Sequence, residues 1–247
     1  MSSGAPSPGE LPAAMIVRAD SPADLLVAEV KDVIDGEEPA RRTTILREVT
    51  DLFLVGAAHY TTEQVQVFDD VICTIIEHVD RDALMDLAKR LVPCAKAPSG
   101  VMCKLATNTD VKMSCYVLEQ GTAFTDDDLA EVIETVTSVQ QMVIAGRDGI
   151  GEAVTDALIN RGDFEVMRRF VTNEHARVSH IGFVKLINAA KRDGSLTELV
   201  ASRVDLPDEL KPFIGMLRRS AETAQANAQV GPQAGAQPGA PVAAAAG

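Results

Sequence analysis

The sequence predicts an all-α protein, an irregular α-solenoid of about eleven short helices with no sheet. Three observations carry this. Apolar residues recur at spacings of three and four through most of the chain, with no convincing alternating stretch. Capping and stopping residues interrupt that pattern at short intervals. One ten-residue phrase also occurs twice, as LATNTDVKMS at 105–114 and FVTNEHARVS at 170–179.

In chain order, residues 1–20 are rich in Ser, Pro and Gly and predict a disordered segment. A single helical-repeat domain is expected over 21–220. Its first clear stripe is Ile45, Val49, Leu52 and Phe53. In TTEQVQVFDDVICTIIEHV, residues Val65, Phe68, Ile72, Ile75, Ile76 and Val79 share a face, and Thr61 with Gln64 forms a capping box. Further stripes are Leu84, Leu87, Ala88 and Leu91; Leu129, Val132, Ile133 and Val136; and Ile150, Ala153, Val154, Ala157 and Leu158. Ser21-Pro22, Asp80, Pro93, Gly121, Thr125, Gly162-Asp163, Gly194-Ser195 and Leu206-Pro207 punctuate them. A helix near 176–190 has apolar residues nearly all round, which predicts that neighbours enclose it. Residues 221–247 form an Ala/Gly/Gln/Pro tail that cannot bury enough apolar area to offset its ordering entropy, so it too is expected to be disordered.

The matched decapeptides lie 65 residues apart, and each ends one helix and begins the next. A weaker echo, VKMSCYVLEQGTAF against IGEAVTDALINRGDF, falls about 40 residues on. Such periods mark helical hairpins that stack because no pair buries its own apolar face. A HEAT-like solenoid follows; a plain helical bundle with a chance match is the rival.

The charge is one-sided. Residues 1–140 carry 24 acidic against 11 basic side chains, whereas residues 141–247 carry 12 of each. That surplus repels phosphate backbones and anionic lipid, which argues against nucleic acid and membrane as partners. Within 168–192, however, Arg168, Arg169, Arg177, Lys185, Lys191 and Arg192 face only Glu174. No apolar run reaches membrane-spanning length, and MSSGAPSPGELPAA has neither a basic nor an apolar leader region, so a cytoplasmic location is expected. Cys73, Cys94, Cys103 and Cys115 lack metal-site spacing and read as small buried hydrophobes.

The stretch RRTTILREVTDLFLVGAAHYTTEQVQVFDDVICTII resembles the signature of a bacterial domain-of-unknown-function family described as HEAT-like or leucine-rich-repeat-variant. The matching positions are Arg41, Arg42, Leu46, Val49, Asp51 to Leu54, Tyr60-Thr61, Glu63 to Val65 and Phe68 to Val71. A later block runs from Thr155 through Leu158, Arg161 to Asp163, Glu165 and Val166. The resemblance spans 40–215 and implies a helical-repeat fold, with no reaction or ligand attached.

Chemistry-bearing residues are sparse. Arg42 falls near the centre of the Ile45/Val49/Leu52 stripe, so it should be partly buried and need a carboxylate. Asp69, about 70° from its own stripe's centre, is a structural polar residue at the core margin. In an antiparallel hairpin Arg42 lies roughly 13 Å beyond the level of Asp69, so Glu77, Asp80 or a preceding helix is its expected partner. Asp70 should face solvent.

Asp126-Asp127-Asp128 lacks the glycine and distal glutamate of a calcium loop and reads as helix capping. GRDGIG at 146–151 follows a helix and not a strand, which makes it a poor phosphate loop, and RGD at 161–163 is a C-cap followed by an N-cap. His175 and His180 are five apart, off a common helix face. The sequence therefore predicts no catalytic residue, no metal and no cofactor. A non-enzymatic cytoplasmic scaffold or adaptor is expected, binding a protein or peptide through Arg168, Arg169, Arg177 and Lys185. The alternative is a ligand sensor or enzyme with a pocket between repeats, using Asp69, His59 or Cys94. No feature specifies an oligomeric state.

Overall fold

The computed structural model describes Gly36 and residues 38–229, and among these every regular element is helical. The expected disordered segment at 1–20, residues 230–247 of the tail expected to be disordered over 221–247, and the Ser21-Pro22 signal lie outside the described residues. Twelve α-helices are present among the described residues, against an expectation of about eleven. No described helix is long and apolar enough to cross a membrane. By packing, the chain divides after Phe124 into two compact units.

The first unit holds α1 (Pro39–Gly56), α2 (Thr62–Ile75), α3 (Arg81–Leu91), α4 (Ser99–Ala106) and α5 (Val111–Gln120), with a short 3-10 turn at Ile76–His78. The predicted Thr61/Gln64 capping box starts α2, and Asp80 caps α3 by accepting from the Ala83 N–H. Besides sequence neighbours, α1 packs on α3, α2 on α4, and α3 on α5. The buried face of α1 is Leu46, Thr50 and Phe53; of the expected Ile45/Val49/Leu52/Phe53 stripe Phe53 is fully buried, Ile45 and Val49 are half-buried and Leu52 is 60% exposed, so the face is rotated toward Leu46 and Thr50. Thr50 tolerates full burial because its hydroxyl donates to the Leu46 carbonyl at 2.6 Å. Phe53 then meets Phe68 edge-on at 5.3 Å between ring centres, and Tyr60 closes the cluster.

The second unit holds α6 (Asp126–Thr135), α7 (Ser138–Ala145), α8 (Glu152–Arg161), α9 (Phe164–Val171), α10 (His180–Ala190), α11 (Gly194–Ser202) and α12 (Lys211–Gln229), with a 3-10 turn at Asp208–Leu210. Here α6 packs on α8, α8 on α10 and α10 on α12, while α7 packs on α9 and α9 on α11. Asp126 to Asp128 open α6 with Thr125 and Asp128 as a capping box, the capping role read from the sequence. Gly162 ends α8 in the left-handed region (φ 78°), and Asp163 caps α9. Helix α12 continues to Gln229, beyond the residue-220 boundary at which disorder was expected. Its last turns are Ala- and Gln-rich, and such residues extend an already nucleated helix at little cost.

The repeated phrase has a structural counterpart. At both copies the helix ends in a Thr whose hydroxyl donates back one turn, Thr107 to Cys103 and Thr172 to Arg168. The following Asn folds its side chain onto the backbone: Asn108 Oδ1 accepts from the Asp110 N–H at 2.9 Å, and Asn173 Oδ1 from the His175 N–H at 3.1 Å. The copies then diverge. Asp110 caps α5 at once, whereas Ala176 to Val178 run on before Ser179 caps α10.

Candidate functional site

Most polar side chains of interest join one helix to the helix two places further along. Asp69, on α2 and 6% exposed, accepts from the Gly100 N–H (3.0 Å) and the Val101 N–H (2.7 Å) at the start of α4. That turn has no side-chain cap of its own, so Asp69 caps it from another helix. A Cβ on Gly100 would overlap the Asp69 carboxylate, so the close approach requires glycine there. Burial raises the Asp69 carboxyl above its ordinary range and outweighs the two backbone donors that act the other way. The same burial, reinforced by Asp69, pushes the neighbouring Cys73 thiol up to about 12, which removes it as a nucleophile at neutral pH.

The second unit repeats this pattern. Asp126 on α6 accepts from the Gly151 N–H at the head of α8. Asp156 on α8 receives the Ser179 hydroxyl at 2.9 Å, at the head of α10. Arg203, after α11, donates to the carbonyls of Val171 at the end of α9 and of Asn173 and Ala176 beyond it, and also binds Asp205. These contacts fully engage a guanidinium whose side chain is 6% exposed. The polar hollow beside it, lined by Thr172, His175, Ser202 and Asp205 among others, therefore gains no free cation from Arg203.

The expected site residues separate into groups. Arg168 is drawn inward by Glu165, Asp193 and Ser195, so it helps to hold α11 on α9. Arg169 and Arg177 are exposed and make no ion pair among the described residues. Lys185 donates to the neutral Asn160 amide at 2.7 Å and keeps its charge uncompensated. Arg42 is half-buried in the first turn of α1. Asp70, expected in solvent, is half-buried and accepts from Gln66. His59 is exposed, and all four cysteines are half-buried free thiols where burial was expected. Neither His59 nor Cys94 hydrogen-bonds to Asp69. Among the described residues no cluster of three or more His, Cys, Asp or Glu side chains is placed to hold a metal.

The structure shows a surface feature that the sequence reading missed. The helix expected to be enclosed near 176–190 is α10, and one side of it is open: Ile181 is 65% and Val184 39% exposed. Across from it, α12 presents Phe213 and Met216, each about half exposed. Between them lies a groove of about 490 Å³, lined by Val184, Ile187, Asn188 and Lys191 from α10, by Leu210, and by Phe213, Met216 and Leu217 from α12. Among the described residues Lys191 is its only charged wall residue, and its ammonium donates to the neutral Asn188 side chain. The available signal was the spacing of Ile181, Val184, Asn188 and Lys191 along one helix face.

Residues 113–229 match a family described as an uncharacterised protein conserved in bacteria (DUF2336). The matched stretch takes in the whole described second unit and the groove, and leaves out the Arg41 to Val71 block. No curated protein and no solved structure matches the chain.

Proposed function

We propose that this chain is a non-enzymatic cytoplasmic scaffold or adaptor, built as an irregular HEAT-like α-α solenoid, which binds a protein or peptide on its helical surface. The observation that carries this reading is the exposed apolar groove between α10 and α12, whose wall carries Lys191 bonded only to a neutral amide. Half-exposed large apolar side chains grouped on neighbouring helices mark a contact surface. The packing of each helix on the one two places ahead is what stacked hairpins require, and it supports the solenoid within each unit. An enzyme or sensor pocket needs polar groups that converge with free valence. Asp69 and Arg203 instead have their capacity taken up by backbone groups.

In this reading Arg169, Arg177 and Lys185 form the recognition cations and Arg168 is structural. Tagged full-length protein, expressed in its native cell and purified at low salt, should bring down one defined partner in stoichiometric amount. Reversing Arg169 and Arg177 to Glu should cut its recovery at least about tenfold, because like charges then face each other across the contact. Arg168→Glu should instead lower thermal stability. Unchanged recovery in the double reversal rejects this placement, and a partner-free wild-type protein with a metabolite-dependent thermal shift favours the sensor.

A further inference from the structure

We infer that the α10/α12 groove is a seat for an amphipathic helix with acidic flanks, supplied by a protein partner. The inference rests on the adaptor reading and specifies what that surface recognises. The groove runs between two helices, and its apolar floor has the shape used when a partner helix inserts side chains at positions i, i+3 or i+4, and i+7. Val184 and Met216 stand on opposite walls, while Leu217 and Leu210 close the base.

The charge around the groove fixes the sign of the partner. Along 180–220 the acids are Asp193, Glu198, Asp205, Asp208 and Glu209. Asp193 sits on Arg168, Glu198 on Arg218, Asp205 on Arg203 and Asp208 on Lys211, which leaves Glu209. Lys185 and Lys191 bond only to neutral amides, Arg192 lies over the Phe164 ring, and Arg219 makes no ion pair among the described residues. The groove therefore has a local cationic surplus on a chain whose overall charge is −13. Acidic residues flanking an apolar stripe would meet Lys185 and Lys191 within a Debye length, while basic flanks would be repelled. A second copy of this chain docking groove to groove brings its own cations to the same place and is a poorer fit.

The test uses full-length protein and two labelled synthetic helices about 18 residues long, with identical leucine stripes and with either Glu or Lys on the flanks. Fluorescence anisotropy should show saturable binding of the Glu peptide and at least about tenfold weaker binding of the Lys peptide. Phe213→Glu should weaken the Glu peptide at least about tenfold. Lys191→Glu should shrink the preference between the two peptides, with circular dichroism and melting unchanged in both variants.

Equal affinity for the two peptides, or binding that survives Phe213→Glu, overturns the inference. A concentration-dependent dimer abolished by Phe213→Glu reassigns the groove to a second copy. Phe213-dependent binding to phosphatidylserine vesicles without peptide binding reassigns it to a lipid surface. If the peptides fail while Arg169 and Arg177 reversal still releases a native partner, the groove assignment falls and the adaptor reading stands. If no native partner exists either, both fall.

Discussion

Arg203→Ala is expected to destabilise the second unit by about 3 kcal/mol, because it removes the donor to the Val171 and Ala176 carbonyls, while Asn173 O keeps only the Ala176 N–H. The guanidinium bonds Ala176 O at 2.6 Å, Val171 O at 3.1 Å and Asn173 O at 3.2 Å. It also lies 5.9 Å from the centre of the buried Phe183 ring. Val171 ends α9, and Asn173 and Ala176 lie in the irregular segment between α9 and α10, so Arg203 ties that segment to the helix end. Lysine has no planar fork with which to reach them together, so Arg203→Lys should recover less than half of the loss. Urea unfolding of the full chain measures both variants, and equal stability of Arg203→Ala and wild type would show that water replaces the staple without cost.

The second large effect belongs to Asp69. Asp69→Ala removes the acceptor for two N–H groups at the head of α4 and leaves a small void, for an expected loss of about 2–3 kcal/mol from the first unit. Asp69→Asn should cost about half as much, since one oxygen still accepts while the amide NH2 opposes the other donor. The pH dependence separates the charge from the shape. The folded-state carboxyl is raised, so its contribution is fully present below the ordinary carboxylate range and is lost as pH rises through the folded value. The wild-type advantage over Asp69→Asn should therefore grow between neutral pH and pH about 4.

The helix caps work the other way. Asp163 is lowered by the Ser138 hydroxyl and Asp193 by that of Ser195, so both support the fold above the carboxylate range and lose that support as pH falls. Acid unfolding of Asp69→Asn should accordingly be steeper than that of wild type. A wild-type advantage that shrinks toward acid would contradict the assignment.

Local chemistry was legible in the sequence and distant partnership was not. The Thr61/Gln64 and Thr125 boxes, the Asp80 cap and the Gly162-Asp163 junction follow from side chains that reach only two or three residues. The repeated Thr-Asn turn likewise records a local fold, and the two copies part company where tertiary packing takes over. Asp69 finds its donors 31 and 32 residues on, and Arg168 finds Asp193 25 residues on. Nothing in the local pattern marks either pair. The rotated face of α1 has a related cause: Thr50 is a polar residue that packs as an apolar one once its hydroxyl bonds the backbone. The open side of α10 escaped notice because an apolar residue facing a neighbour and one awaiting a partner look identical in sequence.

Hydrogen–deuterium exchange on the full chain, with and without the Glu-flanked peptide, most directly tests whether this chain works by surface contact on α10 and α12. Slowed exchange should be confined to residues 180–191 and 208–219, while the Asp69 region keeps its free-state rates. Protection centred on α2 and α4, or on the Arg203 hollow with no change along α10, would place the working surface elsewhere and contradict the account.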